Sequence, residues 1–211
     1  MRNKLSSFYN IIYDSDFSVV IVTETWLCNS FTDGLLDPKC KFSIFKCDTP
    51  SPSPAGGVCI LVTKKFQCNE LTIDNLIFGH LEIVSCTITA KQSNILLVCC
   101  YIPPDVSLDL LATYMRGLCS ICNNYDLFVV TGDFNAAGID WSNNYFPNIF
   151  KSRLLFDFFT DYGLIQIVDE PTCDDNFLDL IFVNDTFCIS DCTVAPPFGS
   201  SDHDSIIFSI C

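Results

Sequence analysis

Positive charge is scarce in this chain: 11 Lys and Arg stand against 25 Asp and Glu over 211 residues, a formal net charge of −14. That balance argues against an unaided grip on nucleic acid, which comes from neutralising phosphates with a basic face. Histidine is scarcer still, with His80 and His203 the whole supply. Cys119 and Cys122 form a lone Cys-x-x-Cys with neither histidine near it in sequence, so the usual zinc spacing is missing. No uninterrupted apolar run approaches the roughly 20 residues of a membrane-spanning helix, so no membrane partner is expected. The N-terminal stretch carries basic residues but lacks the apolar core and cleavage site of a signal peptide. An intracellular location, nuclear or cytoplasmic, is the expectation. Charged residues make up only 17% against 49% hydrophobic, which excludes a disordered chain.

What is present points to a β-rich globule. The length suits one domain with a full core, and no repeat or linker divides residues 1–211. Nineteen Phe, with abundant Val and Ile, favour strands. The 14 cysteines sit mostly inside apolar runs and read as reduced core residues. Apolar residues at helical spacing predict helices over 3–13, 106–124 and 151–162, with Gly163 closing the last. β-branched or alternating runs predict strands at 17–22, 42–45, 58–62, within 76–89, and at 95–101, 127–130, 164–168, 177–183, 187–194 and 205–210. Residues 91–94 read as a hairpin turn between two of these strands. Residues 28–40 and the proline-rich stretch 48–54 read as loops. About ten strands with interspersed helices predict two packed sheets with helices outside.

The chemistry centres on Val-Val-Thr-Gly-Asp-Phe-Asn at 129–135. A buried strand ends there, Gly132 permits a sharp exit, and Asp133 and Asn135 follow at a spacing that points both side chains one way. Open α/β sheets carry their sites at such strand ends, although an Asx-rich turn accounts equally for this stretch taken alone. Glu24 follows another apolar strand; it is a site carboxylate or a solvated loop residue. Asp179 lies inside the Phe-Leu-Asp-Leu-Ile-Phe-Val strand, where a carboxylate needs a donor or an exposed edge. His203, in Ser-Ser-Asp-His-Asp, is the candidate donor, since a carboxylate on an imidazole fixes its tautomer and raises its basicity. An oxygen-rich, histidine-poor set that includes Asp202 suits Mg²⁺ or Mn²⁺ and metal-assisted hydrolysis of a phosphate ester.

The ordered series Thr-Glu-Thr-Trp-Leu, Tyr-Ile-Pro-Pro, Thr-Gly-Asp-Phe-Asn, Glu-Pro-Thr followed by Leu-Asp-Leu-Ile-Phe, and Ser-Asp-His resembles the endonuclease/exonuclease/phosphatase superfamily. More narrowly, it resembles the apurinic-type endonuclease domain of non-LTR retrotransposons. The resemblance implies a four-layer α/β sandwich, two mostly antiparallel sheets packed face to face with helices outside. It implies Mg²⁺-dependent nicking of DNA, leaving a 3′-hydroxyl that primes reverse transcription. Glu24 would be a metal ligand and Asp202 would complete the acidic metal set. Tyr101 would contact the scissile phosphate, Asp133 would activate the water, and Asn135 would position it. Asp179 would hold His203, which would stabilise the transition state. Thr172 and Ser201 would touch DNA or support the site. Family members begin with an Asn-bearing strand, whereas here Met1 stands at the first helix; the expected domain lacks that strand and one site residue. The reverse transcriptase expected in a full-length element is likewise absent after residue 211. Two other readings stand beside the nuclease: a phosphatase or phosphodiesterase of the same superfamily, and a truncated, inactive remnant or interaction fragment.

Overall fold

The computed structural model describes residues 4–28, 30–48, 56–72, 81–90, 93–141, 145 and 150–211. Part of the stretch 48–54, the start of the run 76–89, His80, and the turn residues 91–92 lie outside this set. Where the sequence reading finds no boundary, the chain divides into two compact units, Met1–Tyr101 and Ile102–Cys211.

In the first unit, helix α1 (Leu5–Asp14) buries Phe8 and Ile12, one turn apart on its apolar face. Strand β1 (Val19–Val22) pairs antiparallel with β3 (Val58–Thr63), which pairs on its other side with β2 (Phe42–Cys47). β3 is buried along its whole length, as its unbroken apolar sequence demands. Helix α2 (Asp33–Leu36), a single turn in the stretch expected as loop, plugs Leu36 into the core. Behind it the buried Asp37 carboxylate accepts from Tyr13 Oη at 2.6 Å and Phe42 N at 2.7 Å, so burial leaves it satisfied. Strand β4 (Gln67–Glu70), too polar to stand out by periodicity, pairs with β5 (Glu82–Ala90). β5 forms the expected hairpin with β6 (Ser93–Tyr101). β3 packs on β5 and β6, and β2 on β5, so two antiparallel sheets meet within this unit.

The second unit opens with helix α3 (Leu108–Cys122), capped by Ser107, whose hydroxyl accepts Leu110 N. Its buried face carries Leu111, Met115, Leu118 and Cys122, the spacing read from sequence. Strand β7 (Leu127–Asp133) runs longer than expected, carrying the apolar run straight into Asp133. Helix α4 (Phe150–Asp161) packs against α3 and ends where Gly163 adopts a φ of +66°, with Leu164 N returning to Phe159 O. Strands β8 (Ile165–Gln166) and β9 (Asp179–Val183) follow, β9 pairing antiparallel with both β7 and β8. Strand β10 (Ile189–Ala195) pairs with β11 (Ser205–Ile210) across a register irregularity. Phe134, Phe159 and Phe182 form the aromatic centre of this unit, with Phe159 stacked on Phe182 and Phe134 edge-on to both.

Eleven strands are found among the described residues, close to the number expected. All 14 cysteines are free thiols, and half are buried. Cys119 and Cys122 are buried in the last turns of α3, where desolvation pushes each thiol up to about 12, so both are inert packing residues. Among the described residues no helix is long and apolar enough to cross a membrane.

Candidate active site

The second unit gathers most of the candidate residues around the β7–β9 pair. Asp133 is the last residue of β7 and stands directly opposite Asp179, the first residue of β9. Asp179 is therefore at a strand end and not mid-strand, as the alternating run 177–183 suggested. Leu178 lies before the strand, its carbonyl accepting Phe134 N at 2.8 Å, so pairing continues past the ladder without lengthening β9. Two carboxylates opposed across a ladder repel, and each here has a donor that offsets the repulsion.

For Asp133 the donor is Asn135. Its backbone N–H reaches Oδ1 at 2.9 Å and its carboxamide Nδ2 reaches Oδ2 at 3.0 Å. Asn135 has a φ of +48°, a conformation Asn tolerates better than most residues, and this folds it back over the carboxylate. The same Nδ2 donates to Ile102 O at 3.1 Å, while Ile102 N donates to Asp133 O at 2.9 Å. The Asx turn and the paired site residues are thus one structure. Asp133 is almost wholly buried, yet held as a hydrogen-bonded carboxylate.

For Asp179 the donor is His203, whose Nδ1 lies 2.7 Å from Oδ2. That bond raises the imidazole pKa to about 9, against the opposing effect of burial, with the charges of Asp179, Asp133 and Asp202 adding to it. At neutral pH His203 is an imidazolium, with Nε2–H directed away from Asp179 by ring geometry. Thr172 is fully buried, and its hydroxyl accepts Asp179 N at 3.0 Å and Leu178 N at 3.3 Å. Its carbonyl accepts Asp204 N at 2.7 Å, tying the β9 entry to the His203 loop. Of the two roles the resemblance gives Thr172, its burial and these hydrogen bonds match support of the site. Ser201 Oγ accepts His203 N at 3.2 Å and shapes the same loop. Asp202 projects outward, exposed.

Glu24 and Tyr101 belong to the first unit. Glu24 follows β1 at a φ of +47°, and the next residues are clamped, Thr25 N to Gly57 O at 3.0 Å and Trp26 N to Gly56 O at 2.8 Å. Gly56 and Gly57 have φ of +84° and +86°, and a Cβ on Gly57 would collide with the Thr25 hydroxyl. Gly57 N in turn donates to the Glu82 carboxylate, and Glu82 pairs across the hairpin with Tyr101. Glu82 thus links the Glu24 turn to Tyr101 at one end of this unit. Sequence reasoning passed over Glu82; its position at the head of an apolar strand, as Glu24 stands just past the end of one, was the available signal.

Two further residues near Asp133 escaped the sequence reading. Burial raises the Cys173 thiol pKa, and the charges of Asp174, Asp202, Asp179 and Asp133 add to it. Lys151 senses Asp133 and Asp105 from a half-buried position on α4. Among the described residues no group of three or more His, Cys, Asp or Glu converges into a ready-made metal cage. The carboxylates of Glu24 and Asp202 nevertheless make no hydrogen bond or ion pair with any described residue. Hard oxygen donors left open in this way fit Mg²⁺, which is commonly held by one or two carboxylates with water and substrate phosphate completing the shell.

The family described as endonuclease-reverse transcriptase, of the endonuclease/exonuclease/phosphatase group, matches residues 95–207. A comparison with curated proteins found no match. Among solved structures, the endonuclease domain of TRAS1, a telomere-specific non-LTR retrotransposon, is similar over 100% of this chain and 93% of its own, at 16% identity and a TM-score of 0.74. The 3′ phosphatase NExo from Neisseria, bound to product DNA hairpin, is similar over 99% and 95%, at 13% identity and a TM-score of 0.77. An AP endonuclease from Archaeoglobus fulgidus is similar over 99% and 95%, at 13% identity and a TM-score of 0.71. At such identities the likeness is one of fold, and the mixed α/β fold of this chain is theirs.

Proposed function

Because the chain belongs to the endonuclease-reverse transcriptase family, we propose that it is a retrotransposon-type, metal-dependent DNA endonuclease domain. The reaction is hydrolysis of one phosphodiester in one strand, leaving a 3′-hydroxyl. The observation that carries this reading is the opposition of Asp133, fastened to Asn135, and Asp179, fastened to His203, on adjacent strands.

Each residue has a task its geometry suits. Asp133, immobilised by two N–H donors, accepts a proton of the attacking water and aims it. Asn135 holds Asp133 and presents its carboxamide oxygen to the water or phosphate. The His203 imidazolium donates from Nε2 to a phosphoryl oxygen as negative charge builds there, a preorganised electrostatic effect. Asp179 fixes that tautomer and keeps the ring charged. Tyr101 offers its phenol to the phosphate. A divalent cation such as Mg²⁺ or Mn²⁺ would polarise the phosphoryl oxygen and offset leaving-group charge, and Glu24 and Asp202 are the carboxylates that the sequence motifs offer as its ligands.

The acidic balance favours a second reading, a phosphatase acting on a small ester that needs no basic face. Supercoiled plasmid and a phosphate monoester, each with Mg²⁺ and with EDTA, separate the two. The endonuclease reading expects open circles carrying ends that a polymerase extends. Release of inorganic phosphate from the monoester without nicking would replace it with the phosphatase. Activity on neither substrate would leave a remnant without catalysis.

A further inference from the structure

We propose that Lys151 is the phosphate-binding cation of this site, a conclusion that deepens the endonuclease reading and rests on it. The observation is a strap of two residues. Ile102 O accepts the Asn135 carboxamide at 3.1 Å, and the next carbonyl, Pro103 O, accepts Lys151 Nζ at 3.0 Å. Ile102 N is itself bonded to Asp133 O at 2.9 Å. Asp133, Asn135 and Lys151 are thus fastened to one short backbone segment from β7, its exit turn and α4. An ammonium has three N–H donors, and Pro103 O is the one partner Lys151 has among the described residues. The other two N–H groups have no hydrogen-bond acceptor among the described residues and remain open to a ligand oxygen.

Charge supports the same assignment. Besides His203, residues 102–211 hold three Lys and Arg, namely Arg116, Lys151 and Arg153, against sixteen Asp and Glu. Arg116 bonds to Thr113 on the exposed side of α3. Arg153 pairs with Asp157 along the exposed side of α4. Lys151 alone of the three senses Asp133, and desolvation lowers its pKa to about 8 against the pull of Asp133 and Asp105. Desolvation is what makes the half-buried ammonium costly, while the two acids hold it charged. A phosphodiester oxygen adds a charge-assisted bond that offsets part of that desolvation.

The merely structural alternative is that Lys151 tethers Pro103. Lys151→Gln keeps an N–H donor for Pro103 O and removes the charge; Lys151→Arg keeps the charge; Arg116→Gln is the control. Binding of a labelled 20-base-pair duplex in EDTA, measured by fluorescence anisotropy, reads the contact without metal or turnover. Lys151→Gln is expected to weaken binding about 10-fold or more, as for loss of one charge-assisted bond, and to lower the salt slope by about one. Lys151→Arg recovers most of the affinity, and Arg116→Gln changes nothing. In plasmid nicking, Lys151→Gln raises KM by a similar factor and leaves kcat within a few-fold. Unchanged binding in Lys151→Gln, or equal losses in Lys151→Gln and Arg116→Gln, overturns the proposal, and nicking by the wild type in that case leaves the endonuclease reading intact. Lys151-dependent binding with no nicking under any divalent cation overturns the endonuclease reading and keeps the phosphate site. A wild type that neither binds nor nicks overturns both.

Discussion

A single hydrogen bond sets the charge of the one histidine at the site. His203 has a pKa of about 9 in the folded protein because Asp179 accepts from Nδ1, against about 6.5 for a free imidazole. A raised folded value means the stabilisation is complete below pH 6.5 and is lost as pH rises through 9, and it is on the order of 2–3 kcal/mol for this partly buried pair. Urea unfolding in EDTA therefore gives a gap between wild type and Asp179→Asn that is widest near pH 6 and narrows steadily up to pH 9.5. A gap independent of pH would mean that the pair carries no linked proton. Residue types and spacing made Asp133, Asn135, Asp179 and His203 legible as candidates, because carboxylates stranded in apolar runs are conspicuous. Their pairing was legible only as a need for donors. That Asp133 takes Asn135 while Asp179 takes His203 depends on the β7–β9 register, which no local pattern encodes. Lys151 was invisible for a similar reason: on an amphipathic helix a lysine is usually solvated, and its burial here comes from contact with the Pro103 segment.

The elements succeed where hydrophobic period is strong and fail where polar residues hold the backbone. The helices, the β5–β6 hairpin and the buried strands follow from apolar spacing. β4 escaped notice because Gln67–Glu70 has no apolar period and exists by pairing with β5. The start of β9 was misplaced because Thr172, seven residues upstream, takes the N–H groups of Leu178 and Asp179 with its side chain. Thr172→Val keeps the volume and strips both acceptor contacts, leaving two part-buried donors unmet at about 1–2 kcal/mol. Chemical denaturation should show that loss, and nicking should fall at least 10-fold as Asp179 shifts; full activity at reduced stability would separate Thr172 from the site. The Glu24 turn makes a parallel case. Gly57→Ala puts a Cβ at a φ of +86° against the Thr25 hydroxyl, so a cost of about 1–3 kcal/mol is expected. Thermal unfolding measures it, and an unchanged midpoint would mean the turn relaxes without strain.

For the whole molecule, the problem is that the proposed substrate, DNA, meets a chain with a charge of −14. Few phosphates can be neutralised, so affinity should depend only weakly on salt, with a slope of log K against log salt of magnitude about 1–3. Anisotropy titrations from low to physiological salt check this, and a slope beyond about 6 would reveal a basic face that the composition does not suggest. At this scale the sequence was legible through motif order, since five short motifs in sequence fix a family that no one of them fixes. The division at Tyr101 and Ile102 was not, because the chain crosses it in the Tyr-Ile-Pro-Pro motif itself, with no change of composition to mark it. The most direct measurement of the central claim is the nicking rate of supercoiled plasmid in Mg²⁺ for wild type, Asp133→Ala and His203→Ala. The account predicts metal-dependent nicking that falls by about 100-fold or more in each variant, as expected for loss of a general base or a transition-state donor. Wild-type nicking that survives both substitutions would contradict it.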